Sequence, residues 1–374
     1  MILNMKKYNL INVAALTLIP IAGIFGTIFH IWNYGIVWQE PLLLFVFWIV
    51  TGLGITVGYH RLFSHRSFIA HPILEWTMAI IGAAALENSA LKWCSDHRRH
   101  HKHLDTDKDP YSITKGFFHA HMGWILENNP APIEKVQDLE EKPALRFQYK
   151  YYLPIFFIFG ILLPILLGCL WGRPLGALFW GVLLRITLVH HFTYFINSLC
   201  HYIGAKPYDP KSTSGDMWYV ALLTFGEGFH NYHHKFQWDY RNGIRWFHFD
   251  PGKWMIWSLS KIGLANNLKK ADFLQIMKVR SMAIWNQIHK RLEEIPDQTA
   301  ESYYQKLTTI KLKLQFIEQS WIKTEKKFFA HLHNPTQYIK SNKLYKKQKK
   351  QYQLEYRNIM ESLSVLLVQC KITS

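Results

Sequence analysis

The chain has 374 residues, 49% of them hydrophobic and 16% aromatic, and a formal charge of +17. So high an aromatic content argues against a string of ordinary soluble domains, and four cysteines without a CxxC pair exclude a disulfide framework or zinc knuckle. The basic residues gather beside apolar segments and toward the C-terminus, which points to anionic lipid headgroups and away from nucleic acid.

Crossing a bilayer core takes about 20 apolar residues. Four stretches qualify: Leu10 to Trp32, Leu42 to Tyr59, Tyr151 to Trp171 and Leu175 to Leu199. Pro20 is tolerable inside the first, because neighbouring helices can satisfy the freed backbone groups. Ile73 to Leu91 is also apolar, but Glu75, Glu87 and Asn88 predict an interfacial or packed helix there. Lys6-Lys7 is like the start of a signal peptide, yet no small-residue cleavage site follows, so the first stretch is expected to remain as a helix. Asn33 to Glu40 holds no Lys or Arg and only Arg173 links the last two stretches, whereas His60 to Lys150 is rich in both. This asymmetry predicts a cytoplasmic N-terminus and middle segment. An even number of spans then returns everything after Leu199, the C-terminus included, to the cytoplasm.

Beyond about Ile276 the chain turns polar, Lys-rich and helical. Leu307, Ile310, Leu314, Ile317 and Trp321 recur by three and four, and Tyr352, Tyr356, Ile359, Leu363 and Leu366 do so after a break at Asn334-Pro335. A helical hairpin is predicted, with Lys343, Lys346, Lys347, Lys349 and Lys350 on or near its turn, as a solvated basic face or a lipid contact. The expected division is a membrane domain over 1–275 and a cytoplasmic helical extension over 276–374.

Three histidine runs follow apolar stretches: His60-Arg-Leu-Phe-Ser-His65, His97-Arg-Arg-His100-His101 and His230-Asn-Tyr-His233-His234. Residues three and four apart share a helix face, so each HxxHH run is expected to aim three imidazoles at one point. With His201 the candidates number nine, too many for one ion, and four or five apiece would serve two metals. Neutral imidazole suits Fe, Zn or Cu, and two redox metals at a membrane suggest oxygen activation. Soluble di-iron bundles rely on Glu ligands; no carboxylate stands in a ligand position here, so the site should be nitrogen-rich. His30, His71, His103, His190, His191, His248, His289, His331 and His333 read as ordinary hydrogen-bonded histidines, with His119 and His121 intermediate. Hydropathy and histidine spacing are independent signals, yet all three runs fall on the cytoplasmic face. The expected fold is an all-α membrane protein, four transmembrane helices topped by a cytoplasmic helical domain that holds the metals.

Gly54-Ile-Thr-Val-Gly-Tyr-His-Arg-Leu-Phe-Ser-His65, Asp96-His-Arg-Arg-His-His-Lys102, Asn197-Ser-Leu-Cys-His201 and Gly226-Glu-Gly-Phe-His-Asn-Tyr-His-His234 resemble the membrane fatty acyl desaturases of the stearoyl-CoA (delta-9) type, especially bacterial members. The likeness runs from residue 10 to residue 270 and includes Asp239-Tyr-Arg-Asn-Gly-Ile-Arg245 and the turn Lys108-Asp-Pro-Tyr111. It implies a di-iron centre held by His60, His65, His97, His100, His101, His201, His230, His233 and His234, with Asn197 reaching one iron through a water. It also implies O2 as co-substrate and removal of hydrogens from two adjacent methylenes, leaving a cis double bond, typically between carbons nine and ten.

For the acyl tunnel the same resemblance implies Trp48, Gly52, Asn88, Trp93, Thr193 and Tyr194. Trp48 and Gly52 would close its far end, while Thr193 and Tyr194 match positions that shape the kink in the chain. Asp96 and Glu227 are expected directly behind the ligands. Ser95 replaces the basic residue that animal acyl-CoA enzymes carry there, so acyl-CoA, acyl-carrier protein and acyl-lipid all stay open as the long-chain saturated substrate. The His-Pro-Gly-Gly haem signature is absent, so electrons are expected from a separate ferredoxin, rubredoxin or small cytochrome chain, with the protein in a bacterial inner membrane. A di-iron alkyl or sterol hydroxylase shares the histidine pattern. A metal transporter would need ionisable ligands inside the spans, where only Arg185, His190 and His191 stand.

Overall fold

The computed structural model describes residues 8–128, 131–294, 297–330 and 335–373. It divides into two compact units, Met1–Lys206 with Lys211–Lys270, and Pro207–Pro210 with Ala271–Ser374.

In the first unit, α1 (Leu10–Tyr34) and α2 (Gln39–Ser64) are both long and apolar enough to cross a membrane. Most of α1 is outward-facing apolar surface, with Ile11, Phe25 and Trp32 exposed, while Gly23, Thr27 and His30 are buried. A Cβ at Gly23 would come within 2.9 Å of the Leu183 backbone, so this close helix approach depends on glycine. The lower part of α2 is α-helical, but Gly54–Ser64 winds as a π-helix, which carries the span past its expected end at Tyr59.

A short apolar helix, α3 (Pro72–Ala83), starts at a proline suited to a first turn, with His71 accepting from Ile73 N–H. It stops well before Leu91. Leu86 and Asn88 adopt φ of 63° and 82°, and Ser89 then caps α4 (Ala90–His103). After α5 (Pro143–Lys150) come the third and fourth spans, α6 (Tyr152–Cys169) and α7 (Pro174–Tyr202). The loosened chain after α3 is held from α7. Arg185 donates to the carbonyls of Ala84 and Gly160, both at 2.6 Å, and His190 Nε2 lies 3.1 Å from Ala85 O and 3.0 Å from Leu86 O. A buried cation is tolerable within a span when freed carbonyls solvate it in this way.

The short helices α8 (Trp218–Leu223), α9 (His230–Lys235) and α10 (Pro251–Lys261) complete the cap. Among the described residues, one pair of two-residue strands interrupts the all-helical pattern. Ile69–Ala70 pairs antiparallel with Ala265–Asn266, tying the end of α2 to the end of α10.

The second unit holds three helices rather than a hairpin alone: α11 (Phe273–Leu292), α12 (Asp297–Ala330) and α13 (Pro335–Thr373). An Asp272/Gln275 capping box starts α11, whose Met277, Ile288 and Leu292 join Leu307, Ile317, Tyr356, Leu363 and Leu366 in one core. The predicted break at Asn334, and with it His331 and His333, lies outside the described residues.

At the far end of α2 from its histidines, Glu40 is buried between His30 Nε2 at 2.9 Å and Arg173 Nε at 2.8 Å. This cluster joins α1, α2 and the start of α7. Glu40→Ala strands Arg173 without its carboxylate and should cost about 3 kcal/mol of stability, read by thermal unfolding in detergent with metal content unchanged. A loss below about 1 kcal/mol would mean that the pair is energetically idle.

Candidate metal centre

The π-helical end of α2 decides where the first two imidazoles point. Five residues at about 100° each would set His60 and His65 about 140° apart on an α-helix. In the wider turn, His65 N–H donates to His60 O at 3.1 Å and the two rings lie 4.8 Å apart, centroid to centroid, facing one site.

The HxxHH runs lie on α4 and α9, as regular helix geometry requires, but neither aims all three rings at one point. Each run is shared between two sets. His60, His65, His97, His101 and His233 form one, and His100, His201, His230 and His234 form the other, with the ligand atoms of each within 4.8 Å of one another. The i,i+4 pairs, His97/His101 and His230/His234, stay together, and the third ring of each run crosses to the other set. His101 and His234, one from each set, stack at 4.3 Å and 16°. Asn197 stands one helical turn before His201 on α7, on the same face.

The donor atoms fit metal ions. Six pairs of Nε2 atoms approach within 2.8 to 3.3 Å. Two nitrogens at right angles on one ion, each about 2.1 Å from it, are about 3.0 Å apart. The outer nitrogens are held from behind. His60 Nδ1 lies 2.9 Å from Glu227 Oε2, His100 Nδ1 2.9 Å from Asp109 Oδ1, and His201 Nδ1 2.7 Å from Thr213 Oγ1, whose hydroxyl donates to Asp105 Oδ1. A proton placed on Nδ1 by a carboxylate leaves Nε2 as a bare lone pair. Facing lone pairs repel, and a cation between them removes the repulsion. Burial, then the neighbouring imidazoles, pushes His97, His101, His233 and His234 well below the usual histidine range, and His230 to about 3. All are therefore neutral at pH 7, as ligation requires.

Glu227 lies behind His60, as expected. Burial alone would raise its carboxyl, but His60 and Arg61 hold it well below the carboxylate range. Asp96 lies elsewhere. Its place on α4 turns it to Lys92 Nζ at 2.6 Å and toward Arg99 at 3.7 Å, away from the imidazoles. Sequence reasoning did not single out Asp105, Asp109, Tyr111 or Thr213 as partners. Asp109 and Tyr111 stood within the quoted Lys108–Tyr111 string, nine residues or more past His100, and only the turn after α4 folds them back.

Of the tunnel candidates, Trp48, Gly52 and Thr193 line one narrow cavity of about 30 Å³ with Phe225, Thr56 and Glu227. Trp93 stacks on His97 at 4.9 Å, and its indole N–H donates to Glu87, which also accepts from Thr193. Burial moves the Glu87 carboxyl up to about 7 against these two donors. Tyr194 is buried beside His121 and His190 rather than on the cavity wall, and Asn88 is exposed, its N–H given to Tyr152. Other histidines have local partners: His121 with His191 and Ser198, His119 with Pro110 O, His248 stacked on Phe229, His289 against Trp285.

A sequence profile described as fatty acid desaturase matches residues 37–261. A Schizosaccharomyces pombe protein named "Probable acyl-CoA desaturase" is 45% identical over 246 residues, 64% of this chain and 51% of its own. Saccharomyces cerevisiae "Acyl-CoA desaturase 1" is 38% identical over 275 residues, 71% of this chain and 52% of its own. An Anabaena variabilis "sn-1 stearoyl-lipid 9-desaturase" is 40% identical over 232 residues, 61% of this chain and 83% of its own. The chain thus spans about half the length of the two yeast relatives.

Asp109→Ala frees the His100 ring to rotate. It should weaken metal retention about 10–100-fold, measured as metal per chain against a graded chelator series, with the helical content unchanged. Wild-type retention would show that Asp109 does not orient a ligand.

Proposed function

The chain belongs to the fatty acid desaturase family, and from that premise we propose that it inserts a cis double bond, at carbon nine, into a long saturated acyl chain. The observation that carries the reading is the pair of adjoining imidazole sets gathered where the second and fourth apolar helices end. We assign two irons to them, five histidines to one and four to the other, with Asn197 reaching the second iron through a water. When bound, and given O2 and two electrons, the irons supply the hydrogen abstraction that an unactivated methylene demands.

The chain's own residues supply binding, exclusion of water and position. Trp48, Gly52, Thr193 and Phe225 surround a narrow slot beside Thr56 and Glu227, the group behind His60. Glu87 ties Trp93 to Thr193, so the ring stacked on a ligand and the hydroxyl on the slot wall are set by one carboxyl. Asn88 and Tyr194 we assign to the more distant wall. The relatives' names join acyl-CoA and stearoyl-lipid substrates, which share the saturated acyl chain, and the headgroup stays open among these and acyl-carrier protein. Electrons come, on this reading, from a separate ferredoxin, rubredoxin or small cytochrome. The catalytic domain takes in residues 1–275, in a bacterial inner membrane with its histidines and both termini on the cytoplasmic side.

Expression in cells followed by fatty-acid analysis tests the reaction. Palmitate or stearate should lose two hydrogens, and gain of one oxygen instead would make the protein a hydroxylase. His100→Ala or His233→Ala should abolish the product while the protein stays in the membrane. Chain length tests the slot. A Cβ at Gly52 would overlap the Phe225 ring, so Gly52→Phe must fill the slot and shift the product toward shorter chains. A mismatch of one methylene is worth about 1–3 kcal/mol, enough to invert a product ratio; an unchanged profile at normal expression would remove Gly52 from the tunnel.

A further inference from the structure

Residues 271–374 lie outside the matched region and hold 18 of the 43 Lys and Arg but only 9 of the 26 Asp and Glu. Their charge is also sorted in space. One face of α12 points away from the core of the unit: Leu312, Phe316, Gln319, Lys323 and Lys326 recur at steps of four and three. Leu312 is 62% exposed and Phe316 66% exposed, large apolar side chains left in the open directly N-terminal to the cations. Gln319, Ile322, Lys323, Lys326 and Lys327 surround a shallow hollow of about 390 Å³.

The acidic residues of this stretch are turned elsewhere. Glu318 takes Lys278 of α11 at 3.3 Å, and Glu325 accepts from Tyr345 of α13 at 3.3 Å. Phe328 stacks on the same Tyr345, which brings the exposed Lys343, Lys346 and Lys347 of α13 to the basic end of α12. The result is a helix face with Leu312 and Phe316 exposed at one end and Lys323, Lys326 and Lys327 gathered at the other. An anionic interface matches that order, since aromatic and aliphatic groups enter the headgroup layer while lysines meet its phosphates.

We propose that this face of α12 rests on the anionic phospholipid surface of the bilayer that the four apolar helices occupy. The inference depends on the membrane reading of those helices and not on the reaction proposed for the histidine sets.

The full chain is placed in nanodiscs of phosphatidylcholine alone, or with about a third phosphatidylglycerol, and lysine acylation by a water-soluble reagent is followed by mass spectrometry. Lys323 and Lys326 should react about fivefold more slowly in the anionic discs, relative to Lys306. Salt at about 0.5 M should restore their rate. Lys323→Glu with Lys326→Glu should lose the protection at Lys327, and Lys323→Arg with Lys326→Arg should keep it, which separates charge from folding. Phe316→Ser should weaken the protection without altering helical content. Equal rates in the two discs overturn the proposal. So does protection that appears only on adding a soluble acidic protein, whatever the lipid.

Discussion

The centre depends on one buried carboxylate. Glu227 is nearly inaccessible, and a charge in such a place survives only when donors surround it. It has them from three directions. Thr56 and Arg61 donate from α2 to Oε1, Asn242 Nδ2 donates to Oε2 at 2.7 Å, and the Nδ1 of His60 lies 2.9 Å from the same oxygen. Arg61 in turn meets Asp250, the cap of α10, at 2.9 Å. The residue that orients one imidazole therefore also joins the second span to α9 and α10. Removing it would leave Arg61 and His60 under-partnered together, so fold and site share one point of failure.

The imidazoles impose the complementary requirement. Nine of them are packed with Nε2 inward, and the outer nitrogens of His60, His100, His201 and His97 rest on Glu227, Asp109, Thr213 and Tyr111. So dense a set of inward-facing nitrogens suits cations, as expected where metal binding and folding are coupled. The π-helical end of α2 belongs to the same economy of space. A regular helix would send His65 out of the set, and the widened turn, an unfavourable winding in isolation, is held by tight packing against α3 and α4. Gly58 leaves room for Met78 there, since a Cβ would sit 2.9 Å from the Met78 Cβ.

Within the membrane part, function is separated along the helix axes. The Glu40–Arg173–His30 cluster fixes one end of the spans, Arg185 and His190 hold the broken chain after α3 midway, and the histidines occupy the other end. The loop Ala84–Ser89 so fixed carries Glu87, which reaches both Trp93 and Thr193. Positions lining the slot are therefore set from partway along the apolar helices and not from the metal site alone.

The sequence by itself determined the four spans, the nine histidines and the helical character of the C-terminal region. Each rests on local periodicity or length, which the chain carries without reference to its neighbours. It did not determine how the histidines are divided. An HxxHH string specifies a shared helix face, but two sites lie within reach of that face, and packing of α4 against α9 and α2 sends His100 and His233 across. Nor could it place Asp96, which has the neighbour in sequence but the wrong side of the helix, or Asp109, which has no helical relation to His100 and reaches it through a turn. The extent of α3 and the third helix of the C-terminal unit were likewise decided by tertiary contacts: left-handed residues that Arg185 and His190 hold in place, and an apolar face on α11 that is legible only once its partners are known. Periodicity is a property of one helix; ligand sets, hydrogen-bond relays and buried charges are properties of several helices at once.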